Sequence, residues 1–418
     1  MSGEIREQAT RDVLTVLPNR ADDLARLNHL LDGSEPVVTV VGKYNHGKSS
    51  LLNELTDPDT FAVSDKRETV TLADSVRLGV RWMDTPGLDA DVGTEDDRRA
   101  LQGVWLTSDI RLFVHAAKEG ELEPKELALL AQLRADGERT KRQTVFVLSQ
   151  VDQLADDTEL QKVRDAIAAQ IPDIVLNAVS STRHRKGVEG GKQLMLERSG
   201  IPSLHATVQA ALQHVPAART HETAALFDEL RDECRQLRAV QERTLDTLRR
   251  TQQQQGDAFS RGLKRVIEKV SGDIERMLDA LGTDHAVVPD TAKDAYAVTA
   301  GKLERAHIQI AYSRACIEIE SFLAGHGAVD LPPEQQVASS SLNSVMIAVM
   351  GVSVKFRKNL REMFCAASGR ERMQRDFTRY YELSADRQLL ASRIREMESA
   401  GVASEQASIA LRTLEAAV

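Results

Sequence analysis

A run of β-branched residues that ends at a glycine constrains this chain more than any other feature. Val37-Val38-Thr39-Val40-Val41 has the length and branching of a buried strand. It breaks into Gly42-Lys43-Tyr44-Asn45-His46-Gly47-Lys48-Ser49-Ser50, and then into the helix-like Leu51-Leu52-Asn53-Glu54-Leu55. Gly42 and Gly47 let the backbone turn its N–H groups inward onto an anion. In such a cradle Lys48 reaches the β- and γ-phosphates of a nucleotide and Ser49 ligates Mg²⁺. The helix that starts near Lys48 aims its positive end at the same charge. Gly42, Asn45, His46, Gly47, Lys48, Ser49 and Ser50 are therefore the expected phosphate-binding residues.

A second element follows at the end of an apolar strand, Trp82-Met83-Asp84-Thr85-Pro86-Gly87. Asp84 can hold Mg²⁺ through water, and the Gly87 N–H can sense a γ-phosphate. Between the two elements lies the polar stretch Phe61 to Thr71, where a switch segment needs one hydroxyl that closes on Mg²⁺. Thr69 is the expected residue, with Thr71 in reserve; a plain strand entry is the alternative.

Farther on, Val145-Phe146-Val147-Leu148-Ser149-Gln150-Val151-Asp152 is a strand ending in a carboxylate. An Asp there can accept hydrogen bonds from the ring N–H and exocyclic amine of guanine. The stretch resembles the Asn/Thr-Lys-x-Asp signature of GTPases, with Gln150 in the Lys position and Ser149 in that of Asn or Thr. Gln150 can still lay its methylenes over a base. The irregularity leaves adenine nucleotide as an alternative ligand. The last strand ends in Ser180-Ser181, where a backbone N–H can meet the base oxygen.

These elements sit in an alternation of strand and helix from Pro36 to about Val215. Strands are expected at Val37–Val41, Ser75–Met83, Ile110–His115, Thr144–Ser149 and Ile174–Ser180, with a weaker one at Thr69–Asp74. Helices are expected near Lys48–Thr56, Asp96–Thr107, Pro124–Ala135, Thr158–Gln170 and Pro202–His214. Such a pattern makes a mostly parallel, doubly wound sheet with ligand at the carboxyl ends of its strands.

After Pro216 the chain changes character. Thr220 to Leu281 is almost all helix-forming, with a kink expected at Gln252-Gln253-Gln254-Gln255-Gly256, and as one helix it would reach about 90 Å. More helix is expected at Asp290–Leu323, Gln335–Ala367, Arg370–Ser399 and Ser404–Ala416. The division is thus N-terminal helices at 1–33, interrupted by Pro18 and packing on the helical region, an α/β nucleotide domain at 34–216, and an all-α bundle or stalk at 217–418.

Composition narrows the rest. At 42% hydrophobic and 28% charged residues the chain can build a globular core. A net charge of −9 argues against general nucleic-acid binding. The three cysteines are widely spaced, which suggests neither a disulfide framework nor a metal site and fits the cytosol. None of the ten histidines has a ligand-pair spacing, so they read as surface or core residues. No stretch reaches the roughly 18 apolar residues of a spanning helix.

The order of motifs over residues 37–181 resembles that of a small P-loop GTPase, closest to the Era/TrmE-like group and to bacterial dynamin-like proteins. The resemblance implies hydrolysis of GTP to GDP coupled to movement of the helical part, with a homodimer or oligomer formed through the GTPase domains. One usual part is missing, because Leu88 stands where Ras-type enzymes carry a water-orienting Gln. Asn45 stands where the Era/TrmE-like enzymes that use a monovalent cation have an Asn ligand, which makes K⁺ a candidate; the alternative is that Asn45 only stabilises the loop. Lys48, Asn45 and Thr69 are thus the expected catalytic residues, and Ser49, Thr69 and Asp84 the Mg²⁺ ligands. Dynamin-like proteins carry a lipid-binding tip within the helical region. The apolar stretch near 338–361, which ends in Lys355, Arg357, Lys358 and Arg361, is the corresponding candidate for an anionic membrane at its inner face. Its alternative is a buried bundle helix. Against the hydrolase stands a slow GTP switch that binds a protein or RNA partner through the helical half.

Overall fold

The computed structural model describes residues 3–57, 60–61, 73–85, 106–294, 296–338 and 342–416. Two helices come first, α1 (Gly3–Val16) and α2 (Ala21–Leu31), with Pro18 opening the 3₁₀ turn between them. Next come β1 (Val37–Val41), α3 (Lys48–Leu55), β2 (Ala73–Arg77), β3 (Val80–Asp84), β4 (Ile110–Ala116), α4 (Pro124–Thr140), β5 (Gln143–Ser149), α5 (Asp157–Gln170) and β6 (Leu176–Ala178). The sheet order is β2-β3-β1-β4-β5-β6, and only the edge pair β2–β3 is antiparallel.

Helices cover both faces, which is why β1 and β4 are buried along their whole length. On one face Leu51, Leu52 and Leu55 of α3 join Val38, Val40, Leu112 and Val147. On the other, Leu130 and Leu133 of α4 and Val163 and Ile167 of α5 meet Phe113, Phe146 and Leu148. The expected single strand Ser75–Met83 is instead a hairpin. Leu78 and Gly79 both take positive φ, 51° and 73°, the two-residue turn whose twist suits antiparallel neighbours. The helix expected at Asp96–Thr107 falls almost wholly outside the described residues.

After α6 (Ser181–Glu189) and α7 (Gln193–Arg198), α8 runs without interruption from Ile201 to Asp279. It contains Pro216, and the expected kink at Gln252–Gly256 is helical as well. Then come α9 (Ala300–Ala324), α10 (Val345–Met350), α11 (Arg357–Leu360), a π-turn at Arg361–Cys365, α12 (Ala367–Glu382) and α13 (Ala385–Glu415). The helix expected over Gln335–Ala367 is therefore broken into short pieces, one of them stopped by Gly351 at φ 80°. The break expected near residue 400 lies at Leu383-Ser384 instead.

Internal contacts divide the chain into residues 1–235 with 404–418, and residues 236–403. The second unit has its own core: Phe259, Leu263, Ile267 and Val270 of α8, Ile308, Tyr312 and Ile319 of α9, and Met373, Phe377 and Tyr381 of α12. Phe259 stacks on Tyr381 at 3.9 Å. Val345, Met346, Val349 and Met350 of the apolar stretch lie in this core, and the Tyr312 hydroxyl donates to the Gly351 carbonyl at 2.7 Å and lies 2.9 Å from that of Met350. Among the described residues no helix is long and apolar enough to cross a membrane.

The first unit is tied together by buried charge at the amino ends of β1 and β4. Arg26 of α2 bonds Asp109 at 3.0 Å and Glu222 of α8 at 2.9 Å. Arg142 meets Glu222 at 2.7 Å, and Arg219 meets Asp109 at 2.5 Å. Asp109 also accepts the Val37 N–H that opens β1, at 2.9 Å. Burial works to raise the Asp109 pKa, but the Arg219 hydrogen bond and the Arg26 charge hold it below the ordinary carboxylate range. Burial pushes Arg142 down to about 10. Removing one partner from such a set leaves the others buried and uncompensated. Glu222→Ala should therefore cost about 3–5 kcal/mol of stability, read as a lowered urea midpoint at unchanged slope; a midpoint equal to wild type would show that the network contributes little.

Candidate functional site

Every expected site residue that the structure describes lies at or just beyond the carboxyl end of a parallel strand, where open α/β sheets bind ligands. The loop 42–47 leaves β1, Asp84 ends β3, Ser149 ends β5, and Ser180 follows β6. Gly42 has φ 155°, and a Cβ on it would sit 2.2 Å from the Val114 carbonyl oxygen of β4. Only glycine passes there. Gly47, at φ 81°, is the N-cap of α3, so the Lys48, Ser49 and Ser50 N–H groups form the open first turn of that helix.

Side chains at the ends of β5 and β3, together with Lys48 of α3, hold this loop and the strand that leads into it in place. The Ser149 hydroxyl donates to the His46 carbonyl at 2.6 Å and lies 3.2 Å from that of His115. Gln150, itself at φ 59°, donates to the Asn45 carbonyl at 2.6 Å. Lys48 Nζ donates to the Gly42 and Lys43 carbonyls at 3.0 and 2.9 Å, which holds the ammonium within the loop. The Thr85 hydroxyl donates to the Val40 carbonyl at 2.6 Å. Asn45 takes φ 58°, a left-handed conformation that Asn tolerates better than most residues.

The Ser49 hydroxyl donates to Asp84 Oδ2 at 2.5 Å. Asp84 is 2% exposed, and its other oxygen, Oδ1, is buried with no geometrically sound hydrogen-bond partner among the described residues. Burial raises its pKa, opposed by the Ser49 hydrogen bond and the Lys48 charge. A buried, half-satisfied carboxylate beside a hydroxyl fits a hard divalent cation, which would supply the missing partner.

Asp152 and Ser180 are brought together, since the Ser180 hydroxyl donates to Asp152 Oδ1 at 2.6 Å. The same Ser180 oxygen accepts the Arg183 N–H and caps α6, whose first residue is Ser181. Thr69, Thr71, Gly87 and Leu88 lie outside the described residues.

Two features escape the sequence. Ser149 and Gln150 brace the loop, whereas sequence position alone marked them only as departures from a base-reading signature. The His46 ring is buried and meets His115 edge-on at 5.2 Å. His115 in turn contacts Glu126 of α4 at 2.9 Å. No spacing along the chain announces that cluster, because its members come from three separate elements.

The model of the 50S ribosome-binding GTPase family matches residues 37–150, from β1 to the end of β5. The chain therefore carries a GTP-binding P-loop GTPase domain. An uncharacterized protein of Acinetobacter baylyi is 46% identical over 418 residues, covering 100% of both chains, and this chain belongs to the same family. The tRNA modification GTPase MnmE of Nitratiruptor sp. is 32% identical over 123 residues, 28% of this chain and 27% of that relative. The chain thus spans about a quarter of MnmE. Among solved structures, Era of Aquifex aeolicus bound to GDP.AlF4- aligns at 21% identity with a TM-score of 0.30, over 38% of this chain and 55% of that one.

The tight passage at Gly42 gives a direct test. Gly42→Ala must move either the loop or β4, an overpacking that costs about 1–3 kcal/mol, and it should lose nucleotide affinity at the same time. Calorimetric titration with GDP alongside a melting curve checks both; wild-type affinity in the variant would mean that the loop can yield at this point.

Proposed function

We propose that the chain is a Mg²⁺-dependent GTP hydrolase of dynamin-like type, whose nucleotide state drives a change in its helical unit. The observation that carries this reading is the contact of Ser49 with a buried Asp84 whose second oxygen has no partner among the described residues. Ser49 and Asp84 would hold Mg²⁺, with Thr69 closing on the ion when a γ-phosphate is present and Gly87 sensing that phosphate. Lys48 compensates phosphate charge, and Asp152, positioned by Ser180, accepts the donors of guanine beside the Ser181 N–H. Because Leu88 cannot orient water, the transition state needs another source of positive charge. Asn45 with K⁺ is our choice.

We place the protein in the cytoplasm, acting as a homodimer or oligomer through its GTPase domains. A membrane role for 338–361 would require Val345, Met346, Val349 and Met350 to leave the core in which they are buried, so the helical unit is read as facing a protein partner. Leu88 also supports a second reading, a slow GTP switch; turnover in seconds or minutes, as against one event over hours, separates the two.

Three measurements test the assignment. GTP turnover should be faster in K⁺ than in Na⁺, and Asn45→Ala should lose the difference while keeping nucleotide; equal rates would leave Asn45 as a loop residue. Lys48→Ala should weaken GTP binding by about 100-fold or more, as the loss of a charge-assisted contact to phosphate implies. Asp152→Asn should shift preference from guanine toward xanthine, because a site built to bond one base edge rejects the wrong one steeply. Equal binding of ATP and GTP by the wild-type protein would refute the guanine reading.

A further inference from the structure

The phosphate site uses the backbone of His46 and leaves its ring unexplained. That ring, the His115 ring and the Glu126 carboxylate come from the loop after β1, from β4 and from α4, and each brings one ligand-type atom to within 4.8 Å of the others. Their exposures are 2%, 0% and 4%.

The donors and acceptors around the cluster do not match one for one. His115 Nε2 lies 3.2 Å from the Gly120 carbonyl, while Nδ1 lies 2.9 Å from Glu126 Oε1. Both neighbours are acceptors, and a neutral imidazole has a single N–H. With that N–H given to Gly120, Nδ1 turns a lone pair toward a carboxylate oxygen 2.9 Å away, a repulsive contact that a cation bound by both atoms relieves. His46 Nδ1 also faces acceptors, the Val114 carbonyl at 3.3 Å and the same Glu126 Oε1 at 3.7 Å. The outer side of the set is partly fixed by backbone: Gly120 holds His115 through Nε2, and the Glu123 N–H donates to Glu126 Oε2 at 3.1 Å. Backbone contacts of this kind orient histidine and carboxylate ligands around a metal.

We propose that His46, His115 and Glu126 form a binding site for a zinc-class divalent cation. Two imidazole nitrogens and one carboxylate oxygen are a donor set that suits Zn²⁺, whereas Mg²⁺ and Ca²⁺ favour oxygen alone. A fourth position is left to water or a backbone carbonyl. Bound there, the ion pins the phosphate loop to β4 and α4 and places positive charge beside a loop built for anions. The Lys43–Glu123 ion pair, 2.7 Å, joins the same loop to the start of α4.

The test uses the full chain stripped with a chelator and titrated with ZnCl₂ against a chromophoric competitor, in Mg²⁺ and without nucleotide. The expected result is one Zn²⁺ per chain, a rise in melting temperature, and an affinity lowered by about 10- to 100-fold or more in Glu126→Gln and His46→Asn. Circular dichroism shows whether those variants fold. Should they not, Co²⁺ in the wild-type protein decides: visible bands without thiolate charge transfer support the site, and a thiolate band assigns the metal to cysteine instead and overturns it. Absence of saturable Zn²⁺ binding, or binding unchanged in both folded variants, also overturns it and leaves a plain His115–Glu126 hydrogen bond. Because metal binding is read without nucleotide, its failure is distinct from failure of the GTP reading.

Discussion

The backbone of the loop after β1 passes so close to β4 that no side chain fits between them, and the site depends on this one approach. With Gly42 pressed toward the Val114 carbonyl, the loop cannot rise or sink as a unit. Its shape is then completed from the strands around it, by Ser149 on the His46 carbonyl, Gln150 on the Asn45 carbonyl and Thr85 on Val40. A ring of backbone N–H groups binds an anion well only if it need not be ordered at the moment of binding. The braces perform that ordering in advance, and the strands that supply them are buried on both faces and cannot easily shift.

The opposite ends of the same strands solve a different problem. Asp109 accepts the first N–H of β1 and is in turn held by Arg26 and Arg219. Three parts of the chain far apart in sequence, α2, the start of β4 and α8, meet through these charges. An apolar contact would bury as much area with less desolvation cost, but it would not define which helix lies where, since hydrophobic packing is non-directional. A bidentate guanidinium does define it. The arrangement makes the N-terminal helices and the beginning of α8 part of the nucleotide unit rather than appendages to it.

Much of this was legible along the chain, and the failures have physical causes. The phosphate loop could be read because strand, glycines, lysine and hydroxyl lie within fourteen consecutive residues, 37–50. The hairpin at Leu78-Gly79 could not, since its turn carries Leu where Asn or Asp normally signals positive φ. Pro216 marked a break in expectation, yet α8 continues through it; a single missing hydrogen bond is outweighed where the helix is anchored on both sides, by Val215 and Leu212 in the sheet core and by Arg219 and Glu222 in the charge network. The stretch 345–350 was ambiguous because burial in a bundle and burial in a membrane interface select the same apolar residues. Burial alone separates them, and burial is a property of the fold.

The histidine cluster shows most clearly where reading along a chain stops. Ligand spacing such as His-x-x-x-His works because one helix presents both residues on one face. Here His46 lies on a loop, His115 near the end of a strand and Glu126 in the first turn of a helix, and only the parallel pairing of β1 with β4 brings them together. Glu126 also completes the capping box of α4 with Glu123, so its second oxygen serves the cluster at no loss to the helix end. The same carboxylate therefore links the start of α4 to the ring of His46, two residues before the lysine of the phosphate loop. Any event that alters this contact, whether a proton or a metal ion, acts directly on the segment that holds the nucleotide.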